Sequence, residues 1–186
     1  AVALLEAERF VGIDLDRPSV EAARRASVVA RRFHLDDLLA ASLVAEATAC
    51  GRLGRNQDME ALLSQASAIS DDPALASVMW GHCRAMASLV AENQRRAQRE
   101  LDTAMAILRS QPSSVFYPER GLWALLRAVH GDDGADACAE VWASGATVSR
   151  MVRGYVHLAE AVLLARAGRL EEAESAFVAG DEELAP

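Results

Sequence analysis

The chain has 186 residues, of which 52% are hydrophobic, 25% are charged and only 5% are aromatic. This composition suits one globular domain with a substantial core. All 19 basic residues are arginine, which excludes a Schiff-base lysine and the lysine of a phosphate-binding loop. The formal net charge is −8, and a surface of that sign repels nucleic-acid phosphates. We therefore expect no direct nucleic-acid contact from this chain.

Cysteine usage and hydropathy indicate a cytoplasmic protein. Cys50, Cys83 and Cys138 are odd in number and show no paired spacing, which favours a reducing compartment. The chain opens without a secretory segment, and no apolar run reaches the roughly 18 residues that span a bilayer. We expect no membrane association.

Because the first residue is not Met, we interpret the chain as a piece excised from a larger protein.

The first third of the chain predicts a partial helix pair at 1–34 and a first hairpin at about 35–70. Residues 1–12 predict a short apolar helix. Asp16 and Pro18 then suit the start of a helix that runs to about Phe33. Residues 35–50 predict a strongly apolar helix that Gly51 to Gly54 closes, and residues 59–69 predict its partner.

Two further hairpins follow, at about 73–109 and 115–145. Asp72-Pro73 is a helix-start signal, and helices are expected over residues 73–91 and 95–108. The longest loop spans residues 110–118. Helices at 120–130 and 135–143 then flank an acidic turn at 131–134, in which Asp132 or Asp133 is expected to cap the second helix.

The last hairpin, at 149–184, has the clearest pattern. Its first helix is apolar on nearly every side from Tyr155 to Ala165, so it must be covered on more than one face. Gly168 suits a left-handed turn after the helix, and Ser149 is a candidate cap. In the second helix, Ala173, Ala176 and Phe177 recur at helical spacing, and we expect all three to be buried, with Phe177 filling the gap between hairpins.

Residues of this hairpin resemble a tetratricopeptide repeat. The matching positions are Ala161, Leu164, Gly168, Ala173, Phe177 and Gly180, whereas His157 and Glu160 stand where that family has bulky apolar residues. A small–large–small series recurs in each second helix, beginning at residues 59, 97, 137 and 173, with Met59 the one entry that is not small. The steps between these positions are 38, 40 and 36 residues, and periods in this range mark stacked helical hairpins. We expect an all-α protein, a right-handed α-solenoid forming one domain over 1–186.

Candidate reactive residues favour structural roles. His82 and Cys83 are neighbours, so on a helix their side chains diverge by about 100°; all three cysteines are expected in the core. The acidic turn lacks the ligand register of a calcium loop. Arg153, His157 and Glu160 share a stripe that is expected to be a solvated seam, and a polar strip on a groove is the alternative. The tryptophans Trp80, Trp123 and Trp142 are expected to be core anchors.

The inner surface of a solenoid is built from first helices, so a binding groove is expected there. Counting from the final hairpin places Tyr155, Leu158, Val162 and Arg166 on that surface. Their counterparts in an earlier hairpin are His82, Met86 and Leu89.

The C-terminal two-thirds resembles the helical-repeat region of LuxR-type, MalT-like signal-transduction ATPases of actinobacteria. The stretches that carry this resemblance are residues 120–127, 143–148 and 158–180. Such regulators join an N-terminal ATPase and a C-terminal helix-turn-helix domain to a helical-repeat sensor, and the resemblance implies that this chain belongs to the sensor. It carries no phosphate-loop motif, so no catalytic, metal or cofactor residue is assigned.

The expected function is therefore non-catalytic regulation of transcription. The groove would bind a protein partner or a small effector, and the module would contact other domains of its parent. We also expect that an exposed end allows homodimerisation. A stand-alone adaptor that binds a peptide or protein is the alternative, and an enzyme that uses Cys83, His130 or His157 ranks far lower because no nucleophile–base–orienter set is visible.

Overall fold

The computed structural model describes residues 16–70, 73–110, 119–131, 133–146 and 149–185, and within these ranges the regular structure is helical throughout, without a strand. This confirms the all-α prediction. The helices are α1 (Asp16–Arg32), α2 (Asp36–Arg52), α3 (Asn56–Ile69), α4 (Pro73–Val90), α5 (Gln94–Arg109), α6 (Glu119–His130), α7 (Gly134–Ala143), α8 (Arg150–Arg166) and α9 (Leu170–Leu184).

The predicted helices agree with the observed ones to within a few residues, because apolar residues recur at helical spacing in each. Several predictions fall outside the described residues, namely the helix at 1–12, the capping roles of Asp72 and Asp132, and the loop interior at 111–118. Ser149 does occupy the N-cap of α8, but its side chain makes no capping hydrogen bond.

The helices form two compact units, 1–100 and 101–186, with the boundary inside α5. In the first unit, α2 packs against α1, α3 and α4, and α3 also contacts α4. In the second unit, α8 packs against α6, α7 and α9, and α6 also contacts α7. In both units, therefore, the first helix of one hairpin lies against the first helix of the next hairpin: α2 against α4, and α6 against α8.

One turn geometry recurs where two helices meet. Three residues separate the helices, and the middle one is left-handed at His34, Gly54, Glu92 and Gly168, with φ of 53°, 72°, 55° and 75°. In each turn the next residue donates its N–H to a carbonyl five positions back, as Arg55 does to Cys50 at 2.8 Å and Arg169 does to Leu164 at 3.0 Å. These bonds satisfy helix-end carbonyls in a Schellman arrangement.

The first hairpin turn is shifted from the predicted one. Gly168 adopts the expected left-handed conformation, but its counterpart is Gly54, and Gly51 lies inside α2. A Cβ atom on Gly51 would come within 2.9 Å of the Met59 sulfur and 3.2 Å of the Ala87 Cβ. The absent side chain of Gly51 therefore permits close packing of three helices, and the turn itself belongs to Gly54.

Helix α8 is covered on several sides, as its apolar sequence predicted. Helix α8 comes close to α9 at two glycines. A Cβ atom on Gly154 would lie 3.2 Å from the Gly180 carbonyl, and one on Gly180 would lie 3.0 Å from the Gly154 carbonyl and 2.9 Å from the Leu158 side chain. Small residues at this crossing bring the two backbones together.

The prediction that Phe177 is buried is wrong, because its side chain is 57% exposed. Ala173 and Gly180 face α8 and are buried, and Ala176 is half-buried. Phe177 projects from the flank of the same helix, where no helix of the described chain covers it. Leu63, which has the same register in α3, is 1% exposed in a cluster with Cys83 and Ala87 of α4.

This difference predicts unequal costs for two truncations. Leu63→Ala should lower the free energy of unfolding by about 2–5 kcal/mol, because it removes a buried side chain and leaves a cavity. Phe177→Ala should lower it by less than about 1 kcal/mol, because the ring is exposed. Urea unfolding followed by circular dichroism measures both, and equal losses would contradict the assignment of burial.

The turn geometry predicts opposite effects of glycine at two equivalent positions. Glu92→Gly should stabilise the protein by about 0.5–1 kcal/mol, because the left-handed conformation is sterically unfavourable for a residue with a Cβ atom and glycine has none. Gly168→Ala should destabilise it by about 1 kcal/mol for the same reason. Space is not a factor at Gly168, since an added Cβ atom would meet nothing within 4 Å. Thermal unfolding of both variants tests the prediction, which fails if both changes have the same sign.

Candidate functional site

Helix α4 presents two different surfaces in the first unit. The predicted groove residues His82, Met86 and Leu89 are all half-buried, and a 100° turn per residue places them on one stripe. Arg84, Ala87, Ser88 and Ala91 lie on the opposite side of the helix, where they line a cleft. The structure therefore brings the predicted α4 residues together and also reveals a second surface that was not predicted.

His82 is a neutral member of the predicted stripe. Enclosure of its imidazole, with a smaller contribution from the positive charge of Arg52, lowers the pKa of His82 to about 4. The ring is therefore uncharged at neutral pH. The stripe His82–Met86–Leu89 offers mainly apolar contacts rather than a cation.

The cleft lies between α3, α4 and the start of α5 and has a volume of about 140 Å³. Ligand pockets usually measure about 300–1,000 Å³, so this cleft suits one side chain rather than a whole cofactor. Met59, Ala87 and Ala91 supply apolar lining. The polar lining consists of Asn56, Glu60, Arg84, Ser88, Asn93 and Arg96.

A bidentate ion pair forms one wall of the cleft. Arg84 donates to both carboxylate oxygens of Glu60, from Nε at 2.8 Å and from Nη2 at 2.7 Å. This pairing lowers the pKa of Glu60 and raises that of Arg84. The guanidinium also lies 5.8 Å from the centre of the Trp80 ring, a cation–π distance. Arg84 is thus fixed in position by both α3 and α4.

The start of α5 forms another part of the wall. The Asn93 side-chain oxygen accepts the backbone N–H of Arg96 at 3.1 Å, which is an N-cap bond. Sequence reasoning missed this cap, although an asparagine three residues before Arg96 is a recognisable signal. It also missed the pairing of Glu60 with Arg84, because those residues lie on different helices and no local pattern relates them.

The predicted groove residues of the second unit lie on α8 but serve different contacts. Tyr155, Leu158 and Val162 are half-buried, and Arg166 is exposed. A Cβ atom on Gly121 of α6 would lie 2.9 Å from the Tyr155 Cβ, whereas Leu158 lies against Gly180 of α9. Tyr155 thus faces α6 and Leu158 faces α9, so the two side chains line different helix contacts.

Arg166 binds the end of a neighbouring helix. Its two terminal nitrogens donate to the carbonyl oxygens of Ala128 and Val129, each at 2.6 Å. These carbonyls belong to the last turn of α6, where helix carbonyls lack partners within the helix and a cation is favoured. Arg166 therefore has a structural role at this helix end.

The polar stripe of α8 divides into two interactions. Arg153 pairs with Glu183 of α9 at 2.8 Å. Glu160 lies 3.2 Å from His157 Nδ1 and accepts a hydrogen bond from Trp142 Nε1 at 2.8 Å. The Trp142 and His157 rings meet edge to face, with centroids 5.5 Å apart. The stripe is a set of paired side chains that joins α8 to α7 and α9.

The tryptophans do not share one environment. Trp123 is buried, and its indole N–H donates to Asp102 at 2.8 Å, as expected for a core anchor. Trp80 is half-buried. Trp142 is 38% exposed, so its prediction as a core anchor is wrong: the hydrogen bond to Glu160 holds its indole at the surface of α7 and α8.

The cysteines are free and buried, as predicted. Burial raises the pKa of Cys50 and raises that of Cys138 to about 11, so both thiols stay protonated and weakly nucleophilic at neutral pH. Cys83 Sγ lies 3.1 Å from Thr48 Oγ1. All three thiols therefore pack in the core.

The acidic turn before α7 makes an ion pair instead of a cap. Asp133 is the N-cap residue but makes no side-chain capping bond; its carboxylate lies 3.1 Å from Arg127 Nη1.

Among the described residues, no group of three or more histidine, cysteine or acidic side chains is placed to hold a metal ion. None of the described helices combines the length and apolar character needed to cross a bilayer.

In comparisons with known proteins, no family model, curated protein or solved structure matches this chain.

Two desolvated titratable groups predict opposite pH effects on stability. His82 resists protonation in the folded state, so stability should fall by up to about 3 kcal/mol as pH drops from 6.5 towards 4. Burial raises the pKa of Glu119 to about 7, so its folded state holds a proton that the unfolded state releases. Stability should fall by a similar amount as pH rises from 4.5 through 7.

Urea unfolding between pH 4 and 7 separates these two effects. His82→Gln should flatten the loss of stability on the acid side, and Glu119→Gln should flatten the loss on the neutral side. Each variant acts as the control for the other. If the pH slope of His82→Gln equals that of the unmodified protein, His82 is not the group that titrates.

Proposed function

We propose that this chain is a tetratricopeptide-like, right-handed α-solenoid that serves as a non-catalytic regulatory module. The observation that carries the proposal is the repetition of one packing arrangement in both units. In each, the first helix of one hairpin contacts the first helix of the next, and the second helix contacts that same neighbour. Stacked-hairpin proteins are built in this way.

The register of the second helices supports the same proposal. The large middle residues Leu63, Leu101 and Val141 are buried in α3, α5 and α7. The small residues three positions later, Ala66 and Ala104, are buried in α3 and α5. Gly54 and Glu92 are the left-handed residues that precede α3 and α5. They are separated by the same number of residues as Met59 and Ala97, the first members of the two series. The same turn geometry and the same pattern of buried residues therefore recur in separate parts of the chain.

The function proposed for these repeats is to receive a signal for a LuxR-type regulator. A partner protein or small effector would bind the first-helix surface of α4 that includes His82, Met86 and Leu89. Binding would bias the parent ATPase only if the ligand prefers one arrangement of the repeats. A free-standing adaptor that uses the same surface is the second candidate.

The first test is the parent reading frame. A regulator requires GxxxxGK[ST] upstream of this segment and a helix-turn-helix downstream. If neither is encoded, the adaptor becomes the better assignment.

The second test uses the full parent protein in its host. Leu89→Gln places an amide on the proposed binding stripe, and Ser67→Gln places the same group on the exposed surface of α3. We expect Leu89→Gln to reduce signal-dependent transcription from the target promoter at least about five-fold, with basal ATP hydrolysis unchanged. An equal response of both variants would overturn the assignment of this surface.

A further inference from the structure

The flank of α9 has the register of a helix-packing surface. Phe177 is the large residue of the fourth small–large–small series, and its counterparts Leu63, Leu101 and Val141 are 1%, 0% and 0% exposed. Phe177 alone among these four is largely exposed. The position that is covered in three second helices is therefore open in the last of the described helices.

The open flank combines apolar and acidic side chains. Leu170, Phe177 and Val178 are exposed, and helical geometry places Glu174 and Asp181 between them. The sequence of α9 contains six acidic residues and no basic one. A complementary surface would be a helix with exposed apolar side chains among arginines.

Helix α1 has this complementary composition. Its sequence contains five arginines and two acidic residues. Val28 is 64% exposed, and the exposed residues Arg25, Arg31 and Arg32 lie three or four positions from it, which makes them its neighbours on the helix surface. Val29 and Phe33 add further exposed apolar area.

We infer that the α9 flank of one copy docks on the α1 face of a second copy, so that the chain associates head to tail. This inference rests on the proposed stacking of hairpins, because it treats the second copy as the next layer. Contact between two α9 flanks would oppose like charges, whereas α9 against α1 pairs acidic with basic residues. The interface is heterologous, so it forms rings or open chains instead of closed two-fold dimers.

The experiment uses two variants that each block one face. Phe177→Arg replaces an apolar ring on the α9 flank with a cation that would face the arginines around Val28, and Val28→Glu replaces an apolar contact on the α1 face with an acid that would face the carboxylates of α9. Gln65→Arg and Gln65→Glu introduce the same charges at an exposed position of α3 and serve as matched controls. Circular dichroism confirms folding, and the pair Leu170→Arg and Val29→Glu repeats the test if the first pair misfolds.

Sedimentation equilibrium at low ionic strength gives the readout. The unmodified chain and both controls should associate with increasing concentration, each blocked variant should be monomeric alone, and the mixture should form only one-to-one dimers. Added salt should weaken the association, because exposed charge pairs are screened.

Three results would overturn the inference: an unmodified chain that stays monomeric, self-association of Val28→Glu through α9 alone, or failure of the mixture to form dimers. The transcriptional response of the Leu89 variant does not depend on this contact. A Leu89→Gln variant that responds as fully as the Ser67→Gln control, in a protein whose association is intact, would overturn the proposed function and leave this interface in place.

Discussion

Close approach of helix backbones at small residues governs the packing of this protein. Gly154 and Gly180 bring α8 and α9 together, and Gly121 brings α6 against α8, where an added Cβ atom would lie 2.9 Å from the Val152 carbonyl. Backbone atoms cannot rotate away as a side chain can, so these crossings fix the relative positions of the helices. Once they are fixed, the larger apolar residues have few places to pack, and each must fit the gap beside a crossing.

Arginine–carboxylate pairs connect the helices outside these apolar contacts. Arg24 pairs with Glu46, Arg84 with Glu60, Arg109 with Glu140, and Arg153 with Glu183, and each pair links two helices. Partly exposed pairs of this kind contribute about 1 kcal/mol or less each. Their main effect is on the surface: they engage arginines in contacts between helices, whereas the sequence of α9 carries six acidic residues and no basic one.

The sequence predicted helix positions well and side-chain environments less well, for a physical reason. Helices follow from local periodicity, and the turn at Gly168 follows from the tolerance of glycine for positive φ. Burial depends on what lies beyond the helix. Phe177 and Trp142 have apolar character suited to a core, but their exposure is decided by neighbouring helices that no local pattern identifies. The cleft was missed because Glu60 and Arg84 come from separate helices.

Several titratable side chains of the described residues are committed to core packing or to ion pairs. The thiols of Cys50 and Cys138 are protonated in the core, and His82 is held neutral by enclosure. Glu60 and Glu140 accept bidentate hydrogen bonds from arginine, which lower the pKa of each carboxyl and make it a weaker base. Groups that are committed to packing or ion pairs in this way lack the adjustable protonation that acid–base catalysis requires. The same groups hold neighbouring helix surfaces in fixed positions, so these surfaces are preorganised, and a preorganised surface loses less free energy when it binds a partner.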